Sequence, residues 1–211
     1  MNKIVLLVVL LMCAGCAAQN ANITEGDEIK LPNPTYDGAV SLEKTLSERK
    51  SERSFTAEPL SLNEISQLLW ASQGIDAVTG ATRTAPSAGA LHPLEIYFII
   101  TKQGDLEPGV YHYSPSSHTI KKVADAAERL AYDAPMYLVF TAVYERTTRK
   151  YGARGERYVH IEAGHAAQNV HLQAISLGLK TVPVGAFDDD YVSGLLGLDE
   201  EAPLYVVVVG K

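Results

Sequence analysis

Apolar and polar positions alternate with clear periods only from about residue 41 onward. Ser41 reads as an N-cap, and Leu42 and Leu46, four apart, predict a first short helix with Arg49 and Arg53 following on. Ser61-Leu62-Asn63-Glu64 forms a capping box, and Ile65, Leu68, Leu69 and Ser72 keep the 3.6 period up to a stop at Gly74. Residues 75–93 carry Gly80, Pro86, Gly89 and Pro93 and read as a long loop, a length usually kept for function. Leu94–Ile100 is a strand. Val110–Tyr113 and Thr119–Val123 flank Ser114-Pro115-Ser116-Ser117 as a hairpin.

Further along, 125–131 is expected as a short helix, and Met136–Val143 is apolar enough to be a central strand covered on both faces. The longest helix runs from about Arg157 to Leu177 and ends at Gly178. Its Ala163, Gly164, Ala166 and Ala167 suit close approach of another backbone. Val182–Val184 is a short strand, Asp188 caps a helix over Asp189–Leu196, and Leu204–Val209 is a last buried strand. Strands and helices mix without strict alternation and without internal repeats. The expected class is α+β, three layers around one sheet.

The opening stretch follows another logic. A short basic start leads into nine apolar residues, Ile4–Met12, and then into small residues. A membrane-spanning helix needs about 20 apolar residues, so this layout is that of an export signal and is set aside from fold reasoning. Cys13-Ala14-Gly15-Cys16 looks like a bacterial lipobox, with Cys16 the lipidated N-terminus of an exported protein anchored on the extracytoplasmic face of a membrane. A plain cleaved signal and a Cys-x-x-Cys redox pair are the competing readings; the pair lacks the strand and helix context such a motif needs. With no twin arginine in the leader, the chain is expected to be exported unfolded and to acquire any cofactor outside the cytoplasm. Residues 17–40 contain Gln, Asn, Thr and Pro32 and Pro34 with little period, and read as a tether. The expected layout is therefore leader 1–16, tether 17–40 and one domain over 41–211.

Composition narrows the function classes. Of 211 residues, 46% are hydrophobic and 20% charged, which suits a packed core and excludes general disorder. Eighteen basic against 25 acidic side chains leave a net charge of −7, the wrong sign for a nucleic-acid partner. The only cysteines are the two in the leader, so a cysteine nucleophile and a thiolate metal site both drop out. No dinucleotide or phosphate loop is present; Gly152-Ala153-Arg154-Gly155 lacks the third glycine. His160, Glu162 and His165 suggest metal ligation, but histidines five apart on a helix do not share one face. They read as ordinary polar helix residues, and no metal is expected.

One charged run carries more. Arg49 and Arg53, four apart at a helix end, share a face and can fork onto a phosphate together with the Ser51 hydroxyl. A solvated charge run is the alternative, since Glu43, Lys44 and Glu48 precede it.

Arg49-Lys50-Ser51-Glu52-Arg53-Ser54-Phe55, Pro86-Ser87-Ala88-Gly89-Ala90-Leu91-His92-Pro93 and Val182-Pro183-Val184-Gly185-Ala186-Phe187 together resemble the three signatures of the FMN-dependent nitroreductase superfamily. Leu68–Gly74, and Lys150-Tyr151-Gly152-Ala153-Arg154-Gly155-Glu156-Arg157-Tyr158 leading into Glu162–His165, look closest to its SagB-type dehydrogenase branch. The similarity runs in order over about residues 41–211. It implies a three-layer nitroreductase-like fold with a central, mostly antiparallel sheet, and an intertwined homodimer binding FMN at its interface. Carried over, Arg49, Lys50, Ser51 and Arg53 hold the FMN phosphate and ring edge, while Pro86, Ser87, Ala88 and Gly89 of the second subunit line the flavin. Pro183, Val184, Gly185 and Ala186 complete the site, the last two turning backbone amides toward the reactive N5, and Lys211 reaches the phosphate. The chain departs at Ala90, where many members carry asparagine.

Lys150-Tyr151 matches the pair that the dehydrogenase branch is thought to use as base in azoline oxidation. A lysine serves as a base where partial burial favours its neutral form. A surface lysine beside a packed tyrosine is the bland alternative. The expected function is hydride transfer through flavin N5 to or from a small organic substrate. A flavin-binding lipoprotein without turnover is the rival expectation.

Overall fold

The computed structural model describes residues 28–125 and 128–211; the leader and Cys16 lie outside these. A seven-stranded sheet runs in the order β1-β4-β3-β2-β5-β7-β6. Its strands are β1 (Glu28–Lys30), β2 (Leu94–Ile100), β3 (Gly109–Ser114), β4 (Thr119–Ala124), β5 (Met136–Ala142), β6 (Lys180–Val184) and β7 (Ala202–Gly210). Every pairing is antiparallel. Five α-helices accompany it: α1 (Leu42–Glu48), α2 (Leu62–Gln73), α3 (Glu145–Tyr151), α4 (Arg154–Ser176) and α5 (Asp189–Leu196). This is the expected α+β class.

The side-chain period of two splits each central strand between two cores. Phe98, Met136, Leu138, Phe140, Val207 and Val209 point to the face covered by α2 and α4. Ile99, Tyr137, Val139, Val206 and Val208 point to the face where α5 packs Val192 and Leu196. β5 is consequently buried at all seven positions. The α4 stripe against the first face is Val159, Ala163, Ala166, Ala167, Val170 and Ala174, small enough for the helix to lie low on its neighbours. Gly164 does not share in this, because a Cβ there would meet open space.

Local signals formed as the residues dictate. Ser41, Ser61 and Asp188 each cap their helix through the side chain, Ser61 and Glu64 reciprocally. Gly178 follows α4 in the left-handed region at φ +73°.

Four expectations change. Residues 28–40, expected as tether, join the fold: β1 pairs with β4, Leu31 is buried, and the Thr35 amide donates to Gln67. No helix forms among the described residues of 125–131. α3 was not apparent in the sequence pattern, being short and largely polar, with Thr147 its one buried position. Finally, α1 ends at Glu48, so Arg49 and Arg53 do not share a helix face. Arg49 is its C-cap at ψ 120°, and the following residues are not helical, with the Glu52 amide donating to the Thr181 carbonyl at the β6 edge.

Candidate functional site

The 49–53 segment is a short non-helical ledge bonded to β6 through Glu52. Arg49 turns inward, with one guanidinium nitrogen 3.2 Å from His171 Nε2 on α4. Lys50 pairs with Glu52 at 2.7 Å in a solvent-exposed ion pair. Ser51 and Arg53 have no hydrogen-bond or ion-pair partner among the described residues. Two arginines and a free hydroxyl form a donor set that fits a phosphate dianion. Lys211 is less available, since its ammonium lies 2.7 Å from Glu58 and 3.9 Å from Glu64.

A second group forms around the loop that leads into β2. Pro86–Pro93 makes a single 3₁₀ turn at Ala88–Ala90, with Gly89 at φ +64°, a conformation that favours glycine. Ala90 and His92 also hold positive φ, 54° and 45°. The Ser87 hydroxyl accepts from the His92 amide at 2.9 Å, and the Arg146 guanidinium donates to the His92 carbonyl at 3.1 Å. Arg146 also pairs with Glu95 of β2 at 2.6 Å, which ties α3 to the sheet beside this loop.

That anchoring brings Lys150 and Tyr151 to the loop. A Cβ built on Gly89 would lie 2.7 Å from the Tyr151 hydroxyl and 2.8 Å from Lys150 Nζ, so both side-chain ends reach this glycine and a larger residue would displace them. The α3–α4 corner that presents them needs two glycines. Gly152 caps α3 at φ +58°, and a Cβ on Gly155 would sit 2.8 Å from the Thr148 backbone. The run Gly152–Gly155 is thus a corner between helices. Tyr151 packs edge-on against Tyr158 with ring centroids 5.1 Å apart, while Lys150 stays exposed. The burial that favours a lysine base is therefore not supplied within one chain.

Gly185 and Ala186 follow the end of β6 and are exposed, with Pro183 and Val184 half-buried inside the strand. From Thr181 to Gly185 the strand climbs about 13 Å at 3.3 Å per residue, which separates the arginine ledge from these amides. A groove of about 680 Å³ lies elsewhere, among Tyr36, Trp70, Thr84, Asn169 and Gln173; none of the expected site residues lines it.

Several buried polar residues at the site are absent from the sequence-based expectations. Glu162, read as an ordinary helix residue, is 2% exposed, accepts from Gln73 Nε2 at 3.2 Å and faces Ser87 and Arg83. Burial raises its carboxyl above the usual range, although the bonds from Ser87 and Gln73 oppose this. His92 keeps a buried Nδ1 without a partner among the described residues, and burial, then the Arg83 charge, lowers its pKa. His171 is 2% exposed, and Thr181, its other partner, is wholly buried. The missed signal was positional: Glu162 and His171 interrupt the apolar stripe of α4, where a polar residue must find a partner.

Residues 46–211 match the Nitroreductase family. A nitroreductase-family protein of Methanocaldococcus jannaschii is 42% identical over 199 residues, covering 88% of this chain and 98% of that protein. The microcin B17-processing protein McbC of Escherichia coli is 30% identical over 169 residues, 72% of this chain and 62% of its own length. Among solved structures, a nitroreductase-family protein of Ralstonia eutropha superposes with a TM-score of 0.76 at 30% identity, over 87% of this chain and 89% of that one. A chain of the E. coli microcin synthetase McbBCD complex, with truncated pro-MccB17 bound, shares the fold with a TM-score of 0.65 at 24% identity, over 96% of this chain and 84% of that one. The family match over residues 46–211 and the 42% identity across nearly the whole of the archaeal relative agree with the antiparallel sheet between helical layers, and the chain belongs to the nitroreductase family.

Proposed function

We propose that this nitroreductase-family oxidoreductase is an FMN-dependent dehydrogenase of the SagB type, working as a homodimer and held outside the cytoplasm by a lipid on Cys16. The observation that carries the dehydrogenase reading is the convergence of Lys150 Nζ and the Tyr151 hydroxyl on Gly89. The likeness to McbC, a microcin B17-processing protein, and to TfxB of Rhizobium leguminosarum, a trifolitoxin-processing protein, supports it. This chain spans only 62% of McbC and 36% of TfxB, so peptide processing itself is not carried over.

Arg49, Ser51 and Arg53 bind the flavin phosphate, with Lys50 at the ring edge. Gly89, Gly185 and Ala186 let backbone approach the ring closely. When bound, FMN supplies a two-electron hydride acceptor or donor at N5. Lys150 Nζ takes the proton from the substrate heteroatom beside the carbon that loses hydride, and Tyr151 orients the amine. An exported enzyme meets quinones, redox proteins or oxygen more readily than reduced nicotinamide, so one of these serves as electron partner.

Purified full-length protein is expected to be yellow with a flavin spectrum and to oxidise a synthetic thiazoline. Lys150→Met should slow that oxidation by about 10²- to 10⁴-fold, the usual worth of a positioned base, while quinone reduction from an artificial donor persists. Tyr151→Phe should cost less. Equal thiazoline turnover by Lys150→Met and wild type removes the pair from the chemistry. Bound flavin that no donor reduces returns the protein to a binding role.

A further inference from the structure

Arg49 is the only member of the arginine ledge with an inward partner among the described residues, and that partner is chemically unusual. His171 meets it at 3.2 Å through Nε2 and meets the Thr181 hydroxyl through Nδ1. A guanidinium can only donate, so Nε2 must present its lone pair and Nδ1 must carry the proton. The Nδ1–H then donates to Thr181 Oγ1, and both partners specify the same neutral tautomer. Burial, reinforced by the Arg49 charge, lowers the His171 pKa and keeps the ring neutral at pH 7. Thr181 also anchors the ledge through its carbonyl, which accepts the Glu52 amide at 2.9 Å. Helix α4, strand β6 and the ledge are therefore tied together at one point.

The choice of partner has an electrostatic consequence. A carboxylate in place of His171 would fix Arg49 equally well, but it would neutralise the guanidinium and compete with any anion. A neutral imidazole occupies one of five N–H donors and leaves the rest of the fork, and its full charge, available.

We propose that His171, its tautomer set by Thr181, is a positioning residue that holds Arg49 with its charge intact for the flavin phosphate. This rests on the reading of residues 49–53 as the phosphate site. His171 touches neither cofactor nor substrate; it acts through Arg49.

The test is titration of full-length apoprotein with FMN and, separately, with riboflavin, which lacks the phosphate. Wild-type protein should prefer FMN. His171→Leu should weaken FMN binding by about 10- to 100-fold, the worth of a charge-assisted contact, with riboflavin affinity unchanged. His171→Gln, which keeps an acceptor for Arg49 and a donor for Thr181, should stay within about 3-fold of wild type. Arg49→Ala combined with His171→Leu should bind FMN no more weakly than Arg49→Ala alone. Additive losses, an equal loss of riboflavin affinity, or a glutamine variant as weak as the leucine one would each overturn the inference. A wild-type protein indifferent to the phosphate overturns the ledge assignment and the inference together. A wild-type preference for FMN that His171→Leu retains overturns the inference alone.

Discussion

Single residues in this fold are set by where polar groups were forced to find partners. His92, His118 and His171 all have lowered pKa values, burial being the largest cause in each. His118, held at φ 52°, bonds the Pro32 carbonyl, Ser66 and the Tyr113 hydroxyl, and so fastens residues 28–36 to the hairpin. Because their folded pKa values lie below the unfolded value of 6.5, the unfolded chain takes up protons first as pH falls. Their stabilisation is complete above pH 6.5 and is lost as pH drops below it. Glu162 acts in the opposite sense above 4.5, one group against three. Thermal melts should therefore show Tm flat between about pH 7 and 8 and falling steadily from pH 6.5 to 5. A Tm that holds constant down to pH 5 would contradict this account. His118→Asn, which tolerates the positive φ, should lower stability by about 1–3 kcal/mol at pH 7.

At the scale of elements, α1 is placed in an unexpected way. Its period of four predicts an apolar face, and the helix forms, but Leu42 and Leu46 point outward at 60% and 54% exposure while Thr45 is buried. Tyr36 and, on α4, Ile161 are likewise exposed. An i, i+4 leucine pair in water is a surface awaiting cover, and nitroreductases are generally dimers. Light scattering after gel filtration should give a dimer for the wild type and a monomer for the Leu42→Glu/Leu46→Glu variant, with Tm little changed. Dimer mass retained by the variant would place the interface elsewhere. Since Pro86–Gly89 are expected to line the partner's flavin, the monomer should also lose FMN.

For the whole molecule, sheet, ledge and loop form one folded unit among the described residues, and the sequence of the leader bears on location. Nine apolar residues before Cys13-Ala14-Gly15-Cys16 are too few to span a bilayer but suit a signal cleaved before a lipid-bearing cysteine. Cys16→Ser should shift the protein from the membrane fraction to the soluble one without altering its flavin spectrum. Equal membrane retention of both forms would sink the lipoprotein proposal.

Features governed by short-range chemistry were legible in the sequence. The side-chain caps at Ser41, Ser61 and Asp188 and the left-handed Gly178 depend on neighbours within a few residues, so α1, α2, α5 and the end of α4 follow from local composition. The unbroken apolar run of β5 announced a strand covered on both faces, and the family motifs singled out Gly89 and Lys150-Tyr151, which the fold brings together. Tertiary structure alone decided the rest. β1 has three residues and no period of its own; it is a strand because β4 offers an open edge and Leu31 a buried anchor. The 49–53 segment was expected as a continuation of α1, but a backbone bond from Glu52 to Thr181 and the contact of Arg49 with His171, 122 residues away in sequence, hold it against β6 and α4 instead. Local propensity is weak, of order 1 kcal/mol per residue or less, and yields where distant partners satisfy buried donors and acceptors.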